Sequence, residues 1–284
     1  MKNVPGKKTD MRDSEWIATL LRARLLNGSF SPDRNIREFR HMNRYRKSVI
    51  RDTTSQKNCV EKFLQSSGLR LSSFISDIFG ASGRNIISHL IEYGQIDAAA
   101  LDSCLKTKTR NRLLEILVSV NGTLSDHQKS FLKMLMNHYD SLRSHLSEIK
   151  IAIALEMEPF ALQVDQLNSI YGMGTTASCA IIAEIGIDMS CFKTAEHICS
   201  WAGLSPGNKE SAGKRKSTSV TKGNPYVKTM LCEIEWVIAG KRNSYLSAWY
   251  WRIKQKKGAK KAIIALARKL LVIIYTMLKQ GNSI

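Results

Sequence analysis

Residues 167–186 read LNSIYGMGTTASCAIIAEIG. A short apolar helix runs out at Ile170, Gly172 and Gly174 make a tight hairpin, and Thr175 or Thr176 opens a second helix through Ile185. Glycines at alternate positions free the backbone for close approach and for positive φ. The following helix N-terminus offers N–H groups without intrahelical partners to an anion such as a nucleic-acid phosphate. Contacts of that kind position a protein without reading base sequence. An ordinary helical turn, with Gly172 and Gly174 serving geometry alone, accounts for the same residues. The net charge of the chain tips the balance toward binding.

Immediately downstream lies Gly203–Lys228, GLSPGNKESAGKRKSTSVTKGNPYVK. Lys209, Lys214, Arg215, Lys216, Lys222 and Lys228 face a single acid, Glu210, with small and hydroxyl residues between them. The composition predicts a mobile polar loop over 207–225 that wraps a phosphate backbone. Ser211, Ser217 and Ser219 sit in this positive environment, which would stabilise a developing alkoxide. On the residues alone each is a solvated loop serine. From Trp236 to Ile284 the chain carries eleven Lys or Arg and no Asp or Glu, a one-sign helical segment suited to a polyanion.

Upstream of Pro159 the pattern is helical throughout. Asp126–Met157 has apolar residues at mixed three- and four-residue steps, as in a coiled-coil arm or one helix of a bundle. Ile36–Leu64 predicts a very basic helix in which Arg44, Arg46 and Lys47 lie among Phe39, Tyr45 and Val49, a candidate RNA contact that an amphipathic packing helix explains as well. Asp10–Leu26 has a helical period with Asp10 as N-cap. Asp10 and Asp13, at i and i+3 of that first turn, could share a divalent cation. Two acids alone read more simply as helix capping. Almost nothing alternates with period two, so the fold class is mainly α.

The whole chain has 284 residues, with Lys plus Arg 43, Asp plus Glu 24, and a formal charge of +19. A surplus of that size argues for a nucleic-acid or membrane partner. The longest apolar run, Leu270–Leu278, is too short to span a bilayer, so nucleic acid is the expected partner and no membrane is. The six cysteines and six histidines show no metal-ligand spacing, and the thiols read as reduced.

Five ordered segments carry a resemblance: GKKTDMRDSEWIATLLRARLL, REFRHMNRYRKSVIRDTTSQKN, DIFGASGRNI, IYGMGTTASCAIIAEIG and GLSPGNKESAGKRKSTSVTKGN. Together they resemble the one-ten family of bacterial insertion-sequence transposases, DEDD recombinases guided by a bridge RNA. The resemblance implies a RuvC-like (RNase H-like) domain holding Mg²⁺ on four acids, then a coiled-coil region. It further implies a C-terminal transposase domain whose serine links covalently to DNA. Asp10 and Asp13 match the last two acids of the tetrad, and Ser211 matches the nucleophile.

On this footing residues 1–65 are expected to be a helical remnant of the RuvC-like domain and 66–160 a helical or coiled-coil linker. Residues 161–284 are expected to be a transposase domain with a helix-hairpin-helix-like element. The expected nucleic-acid contacts are Gly172, Gly174, Thr175, Lys209, Lys214, Arg215, Lys216, Lys222, Arg44, Arg46 and Lys47. Mg²⁺, DNA, a guide RNA, a homo-oligomer and the bacterial cytoplasm follow by resemblance only. Family members carry strands with the first Asp and Glu of the tetrad ahead of the KTDxxD segment. This chain starts at MKNVPGKKTD, so the expectation is a truncated copy that is defective as a transposase. The alternative is a non-catalytic nucleic-acid-binding remnant.

Overall fold

A computed structural model describes residues 9–26, 30–207, 209–211, 214–217, 219–241 and 243–281; at Lys108 and in the two strands only the backbone is described. The described chain is mainly α, as the sequence predicts, and divides into two compact units, residues 1–37 with 162–284, and residues 38–161.

The helices of the first half are α1 (Asp10–Arg22), α2 (Arg34–Ser66), α3 (Ala81–Tyr93), α4 (Ala98–Cys104), α5 (Thr107–Arg110), α6 (Leu113–Ser119) and α7 (Asp126–Met157). Residues 38–161 close around Val60, Leu64, Leu69, Ile86, Leu90, Leu101, Ile116 and Leu132. The mixed spacing of α7 resolves here: Leu132, Met136 and Tyr139 from its first half enter this core, so that half is a bundle helix. A capping box starts it, with Ser125 accepting from the Gln128 amide and the Gln128 side chain accepting from the Ser125 amide. The α2 backbone is tied across by Gln56, whose side chain donates to the Leu135 carbonyl at 2.8 Å. Arg84 forks onto Asp140, which raises the guanidinium pKa through that hydrogen bond.

The other unit adds α8 (Ala161–Asn168), α9 (Thr175–Ile185), α10 (Ala195–Trp201), α11 (Pro225–Gly240), α12 (Tyr245–Lys257) and α13 (Ala259–Gln280). Its centre is α13, which packs on α10, α11 and α12 and buries Leu266, Leu270, Leu271 and Ile274 completely. The acid-free segment is therefore the core of this unit on one face and a basic surface on the other. Phe30 joins Phe192 and Trp201 in an aromatic cluster, which anchors the segment before α2 to this unit.

Two local expectations need correction. Thr9, not Asp10, caps α1: its hydroxyl accepts from the Arg12 amide, and Asp10 is the first helical residue. The 207–225 segment is not simply a loop, because β1 (Lys209–Ser211) pairs antiparallel with β2 (Lys214–Ser217). No apolar residue alternates in either strand, so the signal of a half-buried strand is absent although the ladder forms.

Candidate nucleic-acid interface

The hairpin forms as the glycine spacing predicts. Gly172 takes φ +84°, a left-handed conformation, and a Cβ there would sit 3.3 Å from Ile238 and Val237 of α11. The turn is thus pressed against α11, and glycine is needed for space as well as for torsion. Gly174 is the N-cap of α9 and brings no side chain to its first turn, and Thr175 is exposed. The α9 N-terminus therefore faces outward with backbone amides available to an anion. Asn168 fixes the angle between the two helices: its amide donates to the Thr175 hydroxyl at 3.3 Å, and its carbonyl accepts from Ser178 at 2.8 Å.

From α10 the chain leaves on an excursion over 204–222 and returns to begin α11. Gly203, at φ +72°, and Gly223 cross at backbone contact: a Cβ on Gly223 would lie 2.2 Å from the Gly203 nitrogen. No side chain larger than hydrogen fits between these strands of backbone. Above the crossing, the Thr221 amide donates to the Ser205 carbonyl and the Gly207 amide to the Ser219 carbonyl, and Pro206 bridges to Val220. Below it, Asn224 joins three elements. Its carbonyl oxygen accepts from the Tyr226 and Val227 amides to cap α11, with Pro225 in the first helical position. Its amide donates at 2.7 Å to Glu184, a carboxylate only 3% exposed on α9.

At the far end of this base, the register sets Ser211 opposite Lys214 and Glu210 opposite Arg215, with an irregularity between Lys209 and Glu210. Lys216 follows Lys214 at a spacing of two, so strand alternation puts Ser211, Lys214 and Lys216 at positions of one face of the ribbon. The side chains of Lys209, Ser211, Lys214, Arg215, Lys216 and Ser217 lie outside the described residues. Lys222, at the foot of the ribbon, is exposed.

The remaining expected residues lie elsewhere. On α1, Asp10 is exposed and Asp13 half-buried. Among the described residues no group of three His, Cys, Asp or Glu could hold a metal ion. The two carboxylates have the oxygen-donor chemistry for Mg²⁺ but form only part of a donor set. Arg44, Arg46 and Lys47 belong to α2 in the 38–161 unit, are half-buried, and so serve packing as well as surface charge. Among the described residues no helix is long and apolar enough to cross a membrane.

Sequence reasoning missed the Gly203–Gly223 crossing and the Glu184–Asn224 bond. Both are contacts between residues at least 20 apart, and neither leaves a local pattern. It read α1 as a helix but not that this helix buries no residue and exposes Trp16, Ile17, Leu21 and Met11.

Comparison with known proteins follows the same lines. Residues 164–251, from α8 to α12, match the model of the transposase IS116/IS110/IS902 family. Residues 1–68 match a second transposase model, of the DEDD type in the IS110 group. The chain is 32% identical over 119 residues to a pilin gene-inverting protein of Moraxella bovis, covering 41% of this chain and 37% of that protein. A pilin gene-inverting protein of Moraxella lacunata matches to the same extent. A putative transposase y4pF/y4sB of Sinorhizobium fredii (strain NBRC 101917 / NGR234) is 27% identical over 124 residues, 42% of this chain and 32% of that protein. The chain thus spans about a third of the length of the curated relatives it matches.

Proposed function

Since the chain belongs to the IS116/IS110/IS902 family of transposases, we propose that it serves recombination of an insertion sequence by binding DNA and cutting and rejoining a strand through Ser211. The observation that carries this reading is the ribbon. Its base is closed by two glycines and clamped to α9 and α11, and its register sets Ser211 opposite Lys214. A serine hydroxyl gains reactivity where positive charge stabilises its alkoxide and the developing phosphorane.

In the proposed step the Ser211 oxygen attacks a backbone phosphorus and gives its proton to a base. One deoxyribose oxygen leaves and takes a proton, and the strand end stays on the serine as a phosphodiester. Attack by a strand hydroxyl on that bond reverses the steps and rejoins DNA. Lys214, Arg215 and Lys216 neutralise flanking phosphates, while the α9 N-terminus at Gly174 and Thr175 takes a phosphate that sets register. In this reading α1 belongs to an RNase H-like domain, where Mg²⁺ held by Asp10, Asp13 and further oxygen donors would supply charge neutralisation at the reacting phosphate. A guide RNA on the basic α2 and a homo-oligomer built through α7 complete the assembly.

One observation favours a second reading. The described residues bring no third acid to Asp10 and Asp13, and a non-catalytic nucleic-acid-binding role needs none. The test that separates the two incubates the protein and its Ser211→Ala variant with end-labelled DNA of the insertion-sequence ends and Mg²⁺, then denatures in detergent. The recombinase reading expects a labelled covalent adduct for the parent and none for the variant, with equal DNA affinity. If the parent forms no adduct while still binding, the binding-only reading stands.

A further inference from the structure

We infer that the junction of α11 and α12 is a binding groove for unpaired nucleotides, with Tyr245 and Trp251 as stacking platforms. The groove has a volume of about 650 Å³ and is floored by small residues, including Ala239, Gly240, Ser247 and Ala248. That volume lies in the range of sites that take a small planar ligand. Tyr245 is 70% exposed and Trp251 47% exposed, so both rings leave area open to a partner.

Both rings are held in place. The Trp251 indole N–H donates to the Ala239 carbonyl at 3.2 Å, and the Lys254 ammonium sits 3.9 Å from its ring centre. The same carbonyl accepts from Ser247, which seats the start of α12 against the end of α11. Lys269 of α13 donates to the Tyr245 hydroxyl at 2.8 Å and lies 4.3 Å from that ring. This bond also holds the Tyr245 phenol pKa below its usual value. Fixed aromatic rings lose little freedom on binding, which is what a stacking surface requires.

The surroundings choose the partner. Residues 236–284 contain eleven Lys or Arg and no Asp or Glu, so a polyanion finds paired charges here, and the two exposed rings favour one that also carries flat bases, a nucleic acid, over an acidic peptide. A base sliding over either ring displaces its lysine by a few ångströms, and the ammonium can then pair with the phosphate attached to that base. Lys241, 3.7 Å over the exposed Tyr171 beside the hairpin, repeats the pairing of ring and cation on the same unit. A paired duplex cannot offer base faces, so the groove selects single strands. This role of the groove is independent of whether Ser211 is a nucleophile.

The test measures binding of the full chain to labelled oligomers of about twelve nucleotides, as oligo(dT), oligo(rU) and a mixed-sequence duplex, at one salt concentration. Tyr245→Leu and Trp251→Leu keep apolar bulk and remove the ring. Each is expected to weaken single-strand binding by about tenfold and to leave duplex binding within about twofold. Tyr245→Phe, which keeps the ring and loses the lysine bond, is expected to retain most of it. A tighter complex with oligo(dT) or with oligo(rU) tells whether DNA or RNA is the source; equal binding supports the shared chemistry.

Equal losses on duplex and single strand, no loss on either, or a variant whose only change is its oligomeric state on size exclusion would each overturn the inference. Should a leucine variant fail to fold, oxidation of Trp251 in the unmodified protein, mapped by mass spectrometry, decides the matter. Protection by single strand and not by duplex supports the groove, and oxidation unaffected by the oligomer overturns it.

Discussion

Glu235 sits in the middle of α11 with no solvent exposure, and neither carboxylate oxygen has a hydrogen-bond partner among the described residues. Burial alone pushes its pKa up to about 8, so near neutral pH the folded protein carries it as the neutral acid. The unfolded chain releases that proton at its ordinary value of 4.5. The folded state therefore binds the extra proton between these values, and stability falls as pH rises. The contribution of this group is complete below about 4.5 and lost by about 8. Replacing it by its neutral isostere removes the titration. Glu235→Gln is expected to flatten the pH dependence of urea unfolding between pH 5 and 8 and to exceed the parent at pH 8 by on the order of 2–4 kcal/mol. A parent and variant with parallel pH profiles would show that the carboxyl is solvated.

At the scale of elements, what could be read in advance followed the range of its causes. The start of α9 at Thr175 comes from a signal a few residues long and was legible in the sequence. The ribbon was not, because among the described residues its strands pair with each other alone and carry no apolar face, leaving no periodic trace. The acid-free tail was legible as a charge surplus, but counting charges could not say that α13 would be the central helix; its apolar stripe at 263, 266, 270, 271 and 274 does that. The clamp at Asn224 was hidden for another reason: its partner Glu184 is 40 residues away. Asn224→Ala removes the cap of α11 and leaves a buried carboxylate short of a donor, for which about 2–3 kcal/mol of destabilisation is expected. Denaturant titration checks the magnitude. Asn224→Asp, which keeps the cap and sets a second acid against Glu184, should also destabilise, whereas a purely local cap would tolerate it.

For the molecule as a whole, the charge of +19 has a geography. The hairpin, ribbon and basic faces of α12 and α13 all belong to the unit formed by residues 1–37 and 162–284, and the transposase match over 164–251 falls inside it. In the proposed function, phosphate contacts made there act on any duplex sequence. Lys214→Ala and Lys216→Ala are each expected to reduce the slope of log affinity against log salt by about 0.9 on duplex DNA, equally for specific and unrelated sequences. Titrations at several salt concentrations check this, and an unchanged slope would place these lysines away from the phosphates.

The Gly203–Gly223 crossing has a consequence for how such a protein can change. Because the chain departs and returns through one point, the 204–222 excursion hangs from the helical bundle as a handle hangs from a door. Length or sequence altered beyond Pro206 and Val220 does not propagate into α10 or α11, whose ends are already fixed below the crossing. Under the proposed function, reactivity and DNA grip would therefore be exchanged between relatives as one cassette. The two glycines and Asn224 mark where the cassette is cut.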